Sequence, residues 1–344
     1  MRSPNLSLSL RETLLTICVG AVGAALAWAF SVPVYMLLGP VVAVSLSSLA
    51  GLRTAIDLRL RDACFVVIGL AVGAGFDTDA LGAMLRWPLA FVFMAVIIWL
   101  IMAICRAMLV RFFGFDARSA LLASAPGHLS FVIAMASSTG SDVARISITQ
   151  SVRLLALTLV VPFVAVAMGV ELSGNIAPQG EPVALVQMVI MIVLAIVVGL
   201  LFQRVSVPAP LLLGAMVVSA IGHLTNLAPG VMPQWIILPA YLVLGSLIGT
   251  RFSGVTPARF AGGLGAGVAI TLVAVGLAGL GALPVAWALN MPLAHVLVAF
   301  APGGLETMIA MGAVLGVIPG FVAACHIARL LVLSVLLPWM LGRR

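Results

Sequence analysis

Two arginines carry the chemistry that most needs explaining in this chain. Arg153 stands about nine residues into one long apolar run and Arg329 about ten residues from either end of another. A charge at that depth is expensive, and it usually faces a cavity or a partner. A guanidinium is always charged and presents a forked, planar set of donors that matches a carboxylate or another oxyanion. The competing role is structural, with each arginine capping the exposed carbonyls of a neighbouring broken helix. Gln150 and His326 each lie three residues before an arginine and share its helical face. Glu306 is the one acid in the buried part of either run, suited to take up and release a coupling proton or else to pair statically with Arg329. His128 is a second candidate for a proton, because imidazole titrates near neutral pH.

These residues sit in two copies of one pattern. Ala125-Pro126-Gly127 returns 176 residues later as Ala301-Pro302-Gly303, Ile133-Ala134-Met135 as Ile309-Ala310-Met311, Gly140 as Gly316, and Arg153-Leu154-Leu155 as Arg329-Leu330-Leu331. Proline removes an amide donor and clashes with the preceding turn, while glycine permits a sharp reversal, so a helix from Arg118 should stop at Ala125 after about 12 Å. A second helix then begins near His128 or Leu129. Broken backbone at that depth survives only if it is buried in protein or lines a wet cavity, and the new helix start points free amides and a positive dipole end at the midplane. Interrupted hydrophobic segments at matching places in two halves are the best sequence pointer to a transporter's binding site. The candidate site is therefore Pro126, Gly127, His128, Ser130, Gln150 and Arg153 from the first copy with Pro302, Gly303, Gly304, Glu306, His326 and Arg329 from the second. An ordinary proline kink in two full-length helices is the alternative, and it keeps the site while changing the topology.

Composition decides the solvent. The chain is 63% hydrophobic and 8% charged, with a mean hydropathy of +1.29, so it cannot cover itself with a polar surface and belongs in a bilayer. The net charge of +7 is carried by arginine alone, in short loops, and shows no nucleic-acid stripe. Cys18, Cys64, Cys105 and Cys325 are scattered singly and read as buried free thiols. No H-x-x-H or H-E-x-x-H spacing and no phosphate-binding loop occur, so neither a metal nor a cofactor is expected, and transport would be secondary rather than ATP-driven. The apolar run after Arg2 and Arg11 could pass for a signal peptide, but its counterpart at 183–203 favours a retained helix.

The repeat extends to the whole chain. Ser31-Val32-Pro33 matches Ser206-Val207-Pro208, and Gly69, Gly73 and Phe76 match Gly245, Gly249 and Phe252. The expected organisation is a first membrane repeat over 1–170, a linker over 171–182 and a second repeat over 183–344. Hydrophobic segments fall near 13–30, 34–51, 63–76, 87–110, 119–138 and 144–169, and again near 183–203, 209–226, 236–250, 262–288, 295–316 and 319–341. If all six of each half cross, Arg86, Arg204, Arg251 and Arg259 fall outside, against the positive-inside rule. If the Ala-Pro-Gly segment dips in and returns, the second half is inverted and only Arg86 is left outside. The reading is an all-α polytopic membrane protein of two inverted repeats, each with five crossing helices plus one re-entrant or broken helix, about 10 to 12 segments in all. Both termini are then cytoplasmic, and the residence is the inner membrane of a bacterium. The glycine-rich stretch from Gly262 to Gly281 suits close packing on a second helix or subunit, which leaves a homodimer open.

At these residues the chain resembles a known family. The duplicated A-P-G-x-L segment, the I-A-M that follows it, the R-L-L helix and the S-V-P plus glycine opening of each half look like the bacterial AbrB membrane protein family. That resemblance implies inverted repeats with broken helices or re-entrant hairpins, as in cation-proton antiporters and anion transporters. The family also carries the labels of a regulator of gene expression and an ammonia monooxygenase, neither of which is readable from these residues. The expectation is a non-enzymatic secondary transporter of a small, anionic solute, with the lipid bilayer and that solute as partners. A membrane-embedded regulator or sensor is second, and a membrane oxygenase a distant third.

Overall fold

The structure is a computed structural model that describes residues 6–76, 87–127, 129–169 and 180–342. The first half contributes α1 (Leu6–Ala29), α2 (Tyr35–Leu49), α3 (Leu58–Gly73), α4 (Pro88–Phe113), α5 (Ala117–Ser124), α6 (Leu129–Ser138) and α7 (Val143–Ala167). The second contributes α8 (Leu185–Arg204), α9 (Pro210–Leu224), α10 (Gln234–Gly249), α11 (Pro257–Leu289), α12 (Leu293–Phe300), α13 (Leu305–Val314) and α14 (Pro319–Gly342), with a short 3-10 turn at Thr250–Phe252. Among the described residues β-structure is limited to one isolated bridge, Pro182 to Val231. The Ala-Pro-Gly sites are where each expected single segment divides: 119–138 becomes α5 and α6, and 295–316 becomes α12 and α13.

Duplicated residues fold into duplicated elements. Helices α2 and α9 have 15 residues each, α5 and α12 have 8, and α6 and α13 have 10. The S-V-P motifs make matching left-handed turns, at Ser31 and Val34 (φ 53° and 52°) and at Ser206 and Ala209 (φ 59° and 45°). A valine or alanine held there is strained, and the strain recurs because the same turn must be made twice. Helices α6 and α13 end alike, with Gly140 and Gly316 left-handed at φ 66° and 64°. Each is followed by an amide that reaches back across the last turn, Ser141 to Ala136 and Val317 to Gly312, which satisfies a carbonyl that the helix end would orphan.

Seven of the described helices are long and apolar enough to cross a membrane, among them α4, α7, α8, α11 and α14. Their outer faces keep large hydrophobic side chains exposed, such as Val186 at 70% and Trp287 at 87%, which suits lipid and not water.

The chain divides into two compact units, and each draws on both halves of the sequence. One comprises Met1–Gly82, Pro162–Thr256 and Ile309–Gly320. Its helices cross at glycines. Gly23 on α1 lies against the backbone of Gly39 on α2, and in the second half Gly199 on α8 lies against Gly214 on α9. Helix α3 presses Gly69 and Gly73 on the carbonyls of Leu212 and Met216 of α9, while α10 presses Gly245 on the carbonyl of Leu37 of α2. The third helix of each half thus packs on the second helix of the other half. Without a water-driven hydrophobic term between membrane helices, such small-residue contacts supply the close packing that holds them together.

The other unit comprises Ala83–Val161, Pro257–Met308 and Phe321–Arg344. Here α11 lays Gly263 and Gly267 on Ile148 and Val152 of α7, and Gly281 on Ile97 of α4. Three glycines of the stretch singled out in the sequence therefore face helices of the same chain. Trp87 packs edge-on against Phe321, 5.4 Å between ring centres. Both Ala-Pro-Gly breaks lie in this unit. Of the cysteines, Cys64, Cys105 and Cys325 are buried free thiols as expected, whereas Cys18 is exposed.

Candidate functional site

The first break is built by a hairpin. Asp116 caps α5 by accepting the amides of Arg118 and Ser119 at 3.0 and 2.9 Å, and Asp142 caps α7 by accepting that of Arg145 at 3.0 Å. The two starts are tied together. The Asp142 amide donates to Ser119 Oγ at 3.1 Å, and the Arg145 guanidinium donates to the carbonyls of Gly114 and Phe113 while lying 3.8 Å from the centre of the Phe115 ring. The chain that leaves at Ser119 through α5 has therefore come back to its starting level at Asp142, after α6. The turn between them is Ala125-Pro126-Gly127, with Gly127 at φ 95°, a conformation that favours glycine.

Stopping α5 at Ser124 orphans its last carbonyls, and buried orphans are costly. Side chains from α7 meet them. Gln150 donates to Leu122 O at 2.8 Å, and Arg153 donates through Nη2 to Ala125 O and to Gln150 Oε1, both at 3.1 Å. Ser124 turns back on Leu121 O at 2.8 Å. The second break repeats the logic with different hands. Arg329 of α14 donates through Nη1 to Ala301 O at 2.8 Å and through Nη2 to Gly303 O at 2.7 Å. His326, where the first copy has Gln150, bonds its own helix instead, Nδ1 to Val322 O at 2.9 Å.

The two breaks meet at Arg329. A Cβ placed on Gly127 would fall 2.6 Å from Nη2 and 2.9 Å from Cζ of Arg329, so the guanidinium that caps the second break also presses on the backbone of the first. Leu154, next to Arg153, lies 3.8 Å from where a Cβ of Gly304 would stand. Gln150, Arg153, His326 and Arg329 are 0%, 1%, 0% and 2% exposed. After the carbonyls are capped, Nε and Nη1 of Arg153, Nε of Arg329 and Nε2 of His326 are still without hydrogen-bond partners among the described residues.

Pro126, Pro302 and Gly303 are buried at the two tips, and Gly127 and Gly304 are half-buried beside them. Glu306 is half-buried in the first turn of α13, and it is not the partner of Arg329, whose bonds go to backbone carbonyls. The first amide of α13 to bond backward is Met308, to Gly304 O at 2.9 Å, so the helix start faces the tip unspent. His128 lies outside the described residues. Ser130 is in the first turn of α6, and its side chain lies outside them too. Ser119, Asp142 and Arg145, which close the hairpin, were not singled out by the sequence. Their visible signal was the D-x-x motif ahead of each helix, at Asp116 and Asp142.

Comparison with known proteins identifies the family. The model of the family described as "Transition state regulatory protein AbrB" matches residues 36–343. The chain belongs to the AbrB family. Two relatives align at low identity. One is the "Putative regulator AbrB" of Escherichia coli (strain K12), 25% identical over 234 residues, which is 65% of this chain and 65% of that protein, just under two thirds of its length. Another is the "Uncharacterized protein YhjN" of Bacillus subtilis (strain 168), 25% identical over 294 residues, 79% of this chain and 75% of that protein.

Proposed function

We infer that this AbrB family member is a secondary transporter of a small anion, working from a site at the two helix breaks. The observation that carries this reading is a pair of fully buried guanidiniums, set at paired breaks, that keep donors unspent after capping the backbone. Buried charge is tolerated when it is paired, and among the described residues neither arginine bonds a carboxylate. An entering anion supplies the missing charge and accepts the spare N–H groups, helped by the free start of α13.

The hairpin supports the topology as well. A segment that starts and ends at the level of Ser119 and Asp142 does not cross, which favours five crossing helices in the first half and an inverted second half. Arg53, Arg59, Arg61, Arg106, Arg111, Arg118, Arg145, Arg204, Arg251 and Arg259 then share the cytoplasmic side, with both termini, in a bacterial inner membrane. Transport in this scheme is movement of the unit that carries both breaks. Glu306, unpaired with Arg329 and beside the second tip, is the group that takes up the coupling proton.

Purified protein in liposomes, loaded with a panel of organic and inorganic anions, tests the reading by counterflow of labelled anion. Accumulation that disappears in Arg153→Met or Arg329→Met supports it, and an anion panel that neither exchanges nor binds refutes it. The names carried by the family model and the E. coli relative favour a second reading, a membrane-embedded sensor that binds the same anion without moving it. Binding without exchange is the result that selects it.

A further inference from the structure

The equivalent positions 150 and 326 do different work. Gln150 is engaged at both ends, its amide nitrogen on Leu122 O and its oxygen on Arg153. His326 spends only Nδ1, on Val322 O. A carbonyl can only accept, so Nδ1 carries the proton of that bond and Nε2 of the neutral ring presents a lone pair. The neutral ring is the resident form, because another charge beside Arg329 at 0% exposure would be unpaired and unsolvated. Nε2 is buried and has no donor among the described residues. His326 and Arg329 are three residues apart on one helix and so share a face. That face carries an unspent acceptor at His326 and, three residues on, an unspent donor at Arg329 Nε, while α7 brings two further unspent donors of Arg153 to the paired breaks.

A simple anion accepts from the guanidiniums and leaves Nε2 orphaned, at a cost to binding. Resting on the anion-transport reading above, we propose that the anion carries its own hydrogen-bond donor, and that its class is the hydroxycarboxylates. The carboxylate takes the spare N–H groups of Arg153 and Arg329, and the hydroxyl donates to His326 Nε2. Sites built to bond a substrate hydroxyl discriminate strongly against the analogue that lacks it, because their polar group is then left buried and unpaired.

The test is equilibrium binding of matched acid pairs to the full-length protein in detergent: glycolate with acetate, lactate with propionate, and malate with succinate. The expected result is that the wild type binds the hydroxylated member of at least one pair tenfold or more tighter. His326→Phe should bind both members of that pair within threefold, close to the wild-type affinity for the plain acid. His326→Leu, which also lacks an acceptor, should do the same and guards against misfolding of the phenylalanine variant. Equal binding of every pair by the wild type, or a preference that survives both substitutions, overturns the proposal and leaves anion transport standing. No binding of any acid overturns both.

Discussion

Replacing Gly127 by alanine should weaken the fold and the anion site together. Two costs follow from the geometry. The residue sits at φ 95°, where an L side chain is strained by about 1–2 kcal/mol. The added Cβ would also lie 2.6 to 3.0 Å from three atoms of the Arg329 guanidinium, too close to be borne without movement. A flexible arginine tip would ordinarily step aside at little cost. This one is pinned to Ala301 O and Gly303 O at 2.8 and 2.7 Å, so moving it breaks at least one charge-assisted bond, worth about 1.5–3 kcal/mol. The sum is a loss of about 2.5–5 kcal/mol. Gly140→Ala is the control, since its φ of 66° carries the strain and its Cβ meets nothing. That variant should lose about 1–2 kcal/mol. Unfolding of both variants in mixed micelles measures the difference, and anion binding measured on the same samples should fall in Gly127→Ala alone. If the two variants lose equal stability and both bind anions as the wild type does, Arg329 does not bridge the two breaks.

Other perturbations report on other parts of the structure. Gln150→Leu leaves Leu122 O without a donor in a fully buried place, and should cost about 1–3 kcal/mol in the same unfolding assay. Gly23→Ala drives a Cβ into the Gly39 carbonyl and should cost about 2–3 kcal/mol, whereas Gly276→Ala, open on all sides within α11, should cost nothing measurable. Partial burial pushes the Asp116 carboxyl up, but the hydrogen bonds from Ser119 and Arg118 outweigh it and hold the group below the usual carboxylate range. Its capping contribution is therefore present above the ordinary carboxylate range and lost as pH falls through the lowered value. The stability gap between wild type and Asp116→Ala, about 1 kcal/mol at neutral pH, should close on acidification, and a gap that persists at low pH would count against the cap.

The breaks were legible because proline and glycine act locally: Ala125-Pro126-Gly127 and Ala301-Pro302-Gly303 interrupt a helix wherever the rest of the chain lies. The matched ends at Gly140 and Gly316 were legible for the same reason. Long-range partners were not. Nothing in the spacing says that Ser119 accepts from Asp142, which is what distinguishes a hairpin from a kink. Nor does it say that Gly69 lies on Leu212 and Gly245 on Leu37, because a glycine marks a close approach without naming the neighbour. The arginines were found as buried charges, yet their division between capping and free donors depends on which carbonyls the turn exposes. Equivalence also misled in one respect. Gln150 and His326 occupy the same place in the repeat, but only the glutamine reaches the broken helix.

Titration of the purified full-length protein with an anion panel, side by side with Arg329→Met, addresses the central claim most directly. Arg329 contacts both breaks and keeps an unspent donor, so its loss should remove binding of the anions that the wild type takes, while Arg118→Met, at the far end of α5, should bind them unchanged. Anion binding by Arg329→Met at the wild-type affinity would contradict an anion site at the paired breaks.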